Sequence, residues 1–179
     1  MKMNNYILTG ASGAGTTSIL RQLEVEGYPV VEEAETDVIY LENTLGTQAP
    51  WQSPNFIETI AKLQILRRQF YVQDAHSKFF DRSPFCTAAL AVYMGYGIPK
   101  ILLDEIEYVK AAKFFHDTVF FIENLGFIQQ TEARKISFDE ALRFEKIHRD
   151  IYLQHGFYLV DIPKDTLINR VNRIRCAIA

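Results

Sequence analysis

Five short apolar runs, each followed by a stretch with helical spacing, limit how this chain can fold more than any other feature. The runs are Asn5–Thr9, Tyr28–Val31, Lys78–Asp81, Thr118–Ile122 and Tyr158–Ile162. Their apolar residues fall on both parities, so these strands are buried on both faces. Strands of that kind, separated by helices, predict a parallel sheet with helices on both sides. Thr17–Glu26 reads as the first helix, stopped by Gly27, and the second runs from the Glu32–Glu35 region to about Leu45. Ser53-Pro54 starts a long helix, with Phe56, Ile60, Leu63, Leu66 and Phe70 on one face. Pro84 opens a helix to about Met94, and Ile101–Phe115 is another. Ser137-Phe-Asp-Glu140 forms a capping box for a helix to about His155, and Thr166–Ile178 is the last.

The 179 residues suit one domain spanning 1–179. A hydrophobic share of 48% and a charged share of 23% are those of a folded globular chain. Nineteen basic against twenty-two acidic residues give a net charge of -3, which argues against a nucleic-acid binder with a wholly basic surface. Cys86 and Cys176 belong to no C-x-x-C pair and read as reduced thiols. The start carries no visible signal peptide, and no apolar stretch approaches the roughly 20 residues of a membrane helix. A soluble, cytoplasmic protein without a membrane partner is expected.

The chemistry begins at Gly10-Ala11-Ser12-Gly13-Ala14-Gly15-Thr16-Thr17, followed by Ser18. This segment leaves the first strand and opens the first helix with the spacing of the P-loop, G-x-x-x-x-G-K-[ST]. Thr16 stands where the motif has lysine. The glycines let backbone N–H groups curl round an anion, and the helix N-terminus adds unpaired donors. Thr17 offers a hydroxyl to magnesium. What Thr16 removes is a cation against the phosphates, and a charge-assisted bond is worth about twice a neutral one.

Other polar clusters follow the strands. Asp81, Arg82 and Ser83 end the third, where a parallel sheet forms its ligand crevice. Asp81 is placed to serve magnesium through water and Arg82 to grip phosphate. Glu32, Glu33 and Glu35 follow the second strand and read equally as an acidic first turn or as the source of a general base. Arg134 and Lys135 lie in an aperiodic stretch and suit a lid segment at about 123–137. Arg67 and Arg68 read as a solvated helix face. His76, His116, His148 and His155 form no metal pattern and read as surface or satisfied histidines, and Phe56, Phe70, Phe120 and Phe121 read as core.

Taken in order, G-A-S-G-A-G-T-T, V-V-E-E-A, F-F-D-R-S-P and the basic stretch resemble the small AAA-type P-loop ATPases related to ribosylnicotinamide kinase. More distantly the chain is similar to deoxynucleoside and thymidylate kinases. The resemblance implies the strand order 2-3-1-4-5 and ATP with Mg2+ as ligands. It also implies Glu33 as the base, Thr17 and Asp81 at the metal, Arg82 at phosphate or substrate, and Arg134 in the lid. Thr16 and Thr36 depart from the pattern, and both remove positive charge, since relatives carry arginine at the second position.

The expected function is ATP binding with phosphoryl transfer to a small hydroxyl-bearing acceptor such as a nucleoside, or ATP hydrolysis. The alternative, motivated by Thr16, is a nucleotide-responsive regulatory module with degenerate catalysis.

Overall fold

The strand-forming runs meet side by side in the computed structural model, which describes residues 4–10, 13–71, 77–124 and 138–178. β1 (Asn5–Gly10) is central. β2 (Val30–Val31), β3 (Lys78–Asp81), β4 (Thr118–Ile122) and β5 (Tyr158–Ile162) complete the order β2-β3-β1-β4-β5. All neighbours are parallel, with Leu8 opposite Asp81 on one side and Gly10 opposite Ile122 on the other. Both the five-stranded parallel sheet and its order agree with expectation.

Residue parity divides the core. Leu8, Phe79 and Phe120 pack against Ile19, Leu20 and Leu23 of α1 (Thr16–Val25) and Val171 and Ile174 of α7 (Leu167–Ile178). Ile7, Phe80 and Val119 turn the other way. They meet α2 (Ala34–Thr44), α3 (Asn55–Tyr71), α4 (Pro84–Met94), α5 (Lys100–Ala111) and α6 (Phe138–Gln154). Apolar residues on both parities of β1, β3 and β4 are therefore the direct cause of the three layers. No helix among the described residues is long and apolar enough to cross a membrane.

Three expectations need correction. β1 runs one residue further, to Gly10, because that glycine still pairs with β4. A Cβ there would lie 2.4 Å from the Ile122 carbonyl oxygen, so close strand approach demands glycine at this position. The helix expected over 101–115 ends at Ala111. Lys113 takes a left-handed φ of 47°, and the turn delivers Phe114 and Phe115 edge-on to Phe80. Packing of two aromatic rings thus overrides helical continuation.

The third correction concerns α3. Phe56 and Ile60 are buried, but Leu66 and Phe70 are exposed, Phe70 at 81%. The buried row drifts to Ile57, Ala61 and Arg68. Arg68 is therefore no solvated residue. Its Nε and Nη2 donate to the Glu105 carboxylate at 2.5 and 2.9 Å, and its guanidinium lies 4.2 Å from the Tyr108 ring centroid. The pair is buried and ties α3 to α5.

Candidate active site

Parallel strands bring their C-terminal ends to one edge, and the chemistry-bearing residues of β1, β2 and β3 collect there. β1 leads into the glycine segment. Gly13 and Gly15 hold left-handed φ values of 80° and 84°, conformations that cost a side chain but not glycine. Gly15 is the N-cap of α1, no side chain caps this helix, and no acidic residue sits in its first turn. The first-turn N–H groups and the helix dipole are therefore left to an external anion. Thr16 is half-buried, whereas Thr17 and Ser18 are exposed in that turn. Ala11 and Ser12 lie outside the described residues, as do Arg134, Lys135 and His76.

The loop is gripped from beneath. Ala14 is buried, and its carbonyl accepts a 2.8 Å bond from Nη1 of Arg170, in the first turn of α7. Nη2 of the same residue donates to the Glu123 carbonyl, just past β4, at 3.0 Å. The sequence reading missed Arg170. The available signal was its place on the apolar stripe of an amphipathic helix, beside Val171 and Ile174.

The turn after β2 separates the glutamates. Glu32 is exposed and pairs with Arg21. Glu35 and Asp37 form the acidic first turn of α2. Glu33 is the N-cap of that helix, yet its carboxylate turns inward: Oε1 pairs with Nε of Arg82, and Oε2 accepts a 2.6 Å bond from the Thr36 hydroxyl. Thr36, one of the two departures from the family pattern, thus holds Glu33 through an uncharged donor. Arg67 fixes the backbone of this turn. Its Nη1 donates to the carbonyls of Glu32 and Glu33 at 2.8 and 2.7 Å, and its Nη2 pairs with Asp37. The expected solvated face is a clamp on the turn that aims Glu33.

β3 ends on Asp81, and Arg82 follows it. Asp81 is 6% exposed and stands beside Leu8, one turn of chain from the glycine segment. Arg82 donates its backbone N–H to the Leu8 carbonyl at 2.9 Å and has a φ of 68°. A left-handed arginine carries backbone strain, and such strain concentrates at functional sites. Burial works against its charge, but the carboxylates of Glu33, Glu35 and Asp81 outweigh that and hold its pKa above the usual arginine range. Because Arg82 is paired with Glu33, the two charges largely cancel.

Glu33, Arg82, Ile60, Gln64, Cys86 and Thr87 line a small pocket beside this pair. Thr87 donates to Gln64 Oε1 at 2.9 Å, which leaves the amide nitrogen of that side chain to other partners. Neither residue was singled out from sequence, since a lone glutamine or threonine on a helix carries no spacing signal.

Behind the pocket lies a buried polar network. The Tyr152 hydroxyl is 2.7 Å from Ser83 Oγ and 2.9 Å from Cys86 Sγ, and Thr9 Oγ1 is 3.1 Å from the same sulfur. Burial pushes the Cys86 thiol and the Tyr152 phenol up, so both stay protonated. Cys86 is buried and Cys176 exposed, and both are free thiols. His148 is neither surface nor satisfied, contrary to expectation. It is 0% exposed, with Nε2 3.5 Å from Thr9 Oγ1 and Nδ1 without a hydrogen-bond partner among the described residues.

Burial, then the charge of Arg82, hold the His148 pKa well below its usual value, against a smaller opposing effect of Glu33. The fold therefore binds the neutral ring. The unfolded chain takes up a proton below about pH 6.5 and the folded chain does not. Stability is thus unaffected by His148 above that pH. It is expected to fall by about 1.4 kcal/mol per pH unit below it. Urea unfolding between pH 7 and pH 5 checks this, because His148→Phe should flatten that slope by about one proton. An unchanged slope would remove His148 as its source.

A family model described as an AAA domain matches residues 5–170. The fold is similar to that of deoxyadenosine kinase from M. mycoides in complex with the products dCMP and dCDP, at 14% identity and a TM-score of 0.64, covering 97% of each chain. A second structure of that enzyme, with bound dATP, aligns at 13% identity and a TM-score of 0.62, covering 98% of this chain and 100% of the other. No curated protein matches the sequence.

Proposed function

The chain belongs to the AAA-domain family, and on that premise we propose that it binds ATP and transfers a phosphoryl group to a small hydroxyl-bearing acceptor, with nucleosides and pyridine ribosides as the first candidates. The observation that carries this reading is the inward carboxylate of Glu33. It faces a pocket at the same sheet edge as the glycine segment and is held by Arg82 and Thr36. Kinase structures of the same fold, one of them with bound dATP, support the choice of acceptor class.

In this reading Gly13–Ser18 and the N-terminus of α1 hold the phosphates through backbone N–H groups. The acceptor hydroxyl approaches Glu33 and gives it its proton as its oxygen bonds to the γ-phosphorus of ATP, while the bond from that phosphorus to the β,γ-bridging oxygen breaks and ADP leaves. Arg82 fixes the orientation of that carboxylate, and Arg67 fixes the backbone that carries it. Phosphoryl transfer is mostly positioning and electrostatic stabilisation, so these restraints are the protein's main contribution.

The donor set also fits magnesium. Thr17 and Asp81 supply hard oxygen ligands, and no group of three or more His, Cys, Asp or Glu that could hold a metal occurs among the described residues. Magnesium needs no such cage, because it keeps several waters and is bound through one or two protein oxygens plus substrate phosphates. Bound there, it would neutralise charge on the phosphate oxygens.

Thr16 supports a second reading, a nucleotide-responsive module with slow turnover. A screen of nucleosides and pyridine ribosides with labelled ATP tests the first, alongside Thr16→Lys. Labelled product from the native chain favours the kinase. Measurable ATP binding with negligible transfer, and a large gain on Thr16→Lys, favours the module. Absence of product from every acceptor at high enzyme concentration counts against the kinase, and absence of ATP binding as well counts against both readings.

A further inference from the structure

The P-loop of this chain has lost its lysine, and the nearest strand-end cation, Arg82, is engaged by Glu33. A different cation lies on the other side of the loop. Arg170 is 3% exposed, and its guanidinium is held by two backbone carbonyls, those of Ala14 and Glu123. Among the described residues no carboxylate lies within ion-pair distance of it, and its Nε is buried without a hydrogen-bond partner. Glu123 and Asp165 act on it from further away. Burial is the largest influence on the group and draws its pKa below the usual arginine value. Arginine nonetheless remains charged in proteins. A buried guanidinium without a paired carboxylate is costly, and its cost falls when an anion comes near.

The bond to Ala14 also has a geometric consequence. A trans peptide is planar, so its C=O and the following N–H point in opposite directions. With the Ala14 carbonyl turned down onto Arg170, the N–H of Gly15 must point away from Arg170. That is the side on which the motif places phosphate. Gly15 is also the N-cap of α1, so the same peptide orients the start of the helix.

We propose that Arg170 is a positioning residue for the phosphate loop, turning the Gly15 N–H toward the nucleotide and supplying from beneath the loop part of the positive charge that Thr16 lacks. It touches no substrate and acts through the Ala14–Gly15 peptide and through its field. The inference rests on the nucleotide-binding reading above.

The test compares affinities for ATP and AMP by calorimetry, in the native chain, Arg170→Gln and Arg170→Lys, with thermal unfolding of each without ligand. Arg170→Gln keeps a donor but loses the charge. Its ATP affinity should fall at least about tenfold, as expected for a lost charge-assisted contribution. Its AMP affinity should change less than about threefold, because AMP lacks the β- and γ-phosphates that a P-loop cradles. Arg170→Lys keeps the charge but only one of the two bonds, so its ATP affinity should fall by about threefold, less than that of Arg170→Gln, with AMP affinity unchanged. Equal losses for ATP and AMP, or no loss, would overturn the proposal and leave Arg170 a structural bracket. If Arg170→Gln does not fold, Arg170→Lys alone carries the comparison. A roughly threefold loss confined to ATP then supports the proposal, and equal or no change overturns it. A native chain that binds neither nucleotide would sink the nucleotide reading itself, a result separate from an unaltered Arg170→Gln.

Discussion

Replacing Glu33 by glutamine is expected to lower phosphoryl transfer by about 10²- to 10⁴-fold, the usual contribution of a positioned general base, while ATP affinity stays within about threefold. Glutamine has nearly the same shape, and its carbonyl can still accept from Thr36. What it cannot do is take a proton or neutralise Arg82. The Arg82 side chain is 10% exposed and that of Glu33 12%, so the substitution leaves a nearly buried cation facing an amide. A stability loss of about 1–3 kcal/mol should accompany the rate loss, as for other buried polar groups deprived of a partner. Steady-state kinetics at a temperature well below the unfolding midpoint separates the two effects. A base acting only during transfer shows itself as equal losses in kcat and kcat/KM. If Glu33→Gln turns over within threefold of the native chain, Glu33 is not the base and the pocket beside it is not the acceptor site.

Glu105→Ala should cause the largest loss of stability, about 3–5 kcal/mol. Arg68 and Glu105 are 8% and 5% exposed, and two hydrogen bonds join them. Removing the acid leaves the guanidinium buried, stacked on Tyr108, without a counter-charge. The penalty is that of an unpaired buried charge rather than of the bond itself. Replacing both residues by apolar ones of similar volume, Arg68→Met with Glu105→Leu, should therefore recover most of the loss. Urea unfolding gives the result directly, as a lower midpoint at unchanged slope. A loss below about 1 kcal/mol in Glu105→Ala would mean that water or another group solvates Arg68, against its burial.

The fold was legible because the strands announce themselves by composition. Thr118–Ile122 is apolar at every position after the first and could only be a strand buried on both faces. The glycine segment was equally readable, since P-loop chemistry needs glycine at fixed offsets. Less was legible where polar residues face inward. Arg67, Arg68 and Arg170 look alike in sequence, three arginines on helices. Their roles as a backbone clamp, a buried ion pair and a loop support depend on partners 30 to 156 residues away. Helical spacing also misplaced Phe70, because the α3 stripe rotates toward Arg68 and Glu105 once that pair is formed. His148 was read as ordinary for the same reason: nothing local marks a histidine enclosed by Phe144, Tyr152 and Thr9.

The site itself was legible as a set of strand ends, not as a set of contacts. Glu33, Asp81 and Arg82 were singled out as candidates because they end or follow β2 and β3. That Thr36 would hold Glu33, and that Arg82 would be engaged by it, required the two strand ends to be brought side by side. That a guanidinium lies beneath Ala14 was not legible either, because it comes from the far end of the chain.

The central claim is that a P-loop with threonine for lysine still binds nucleotide through its phosphates. Calorimetric titration of the purified chain with ATP, ADP and AMP, each with and without magnesium, tests it most directly. The account expects one site per chain, affinity decreasing from ATP to ADP to AMP, and magnesium strengthening ATP binding through Thr17 and Asp81. Absence of heat or thermal stabilisation with any of the three, or equal affinity for all, would contradict it.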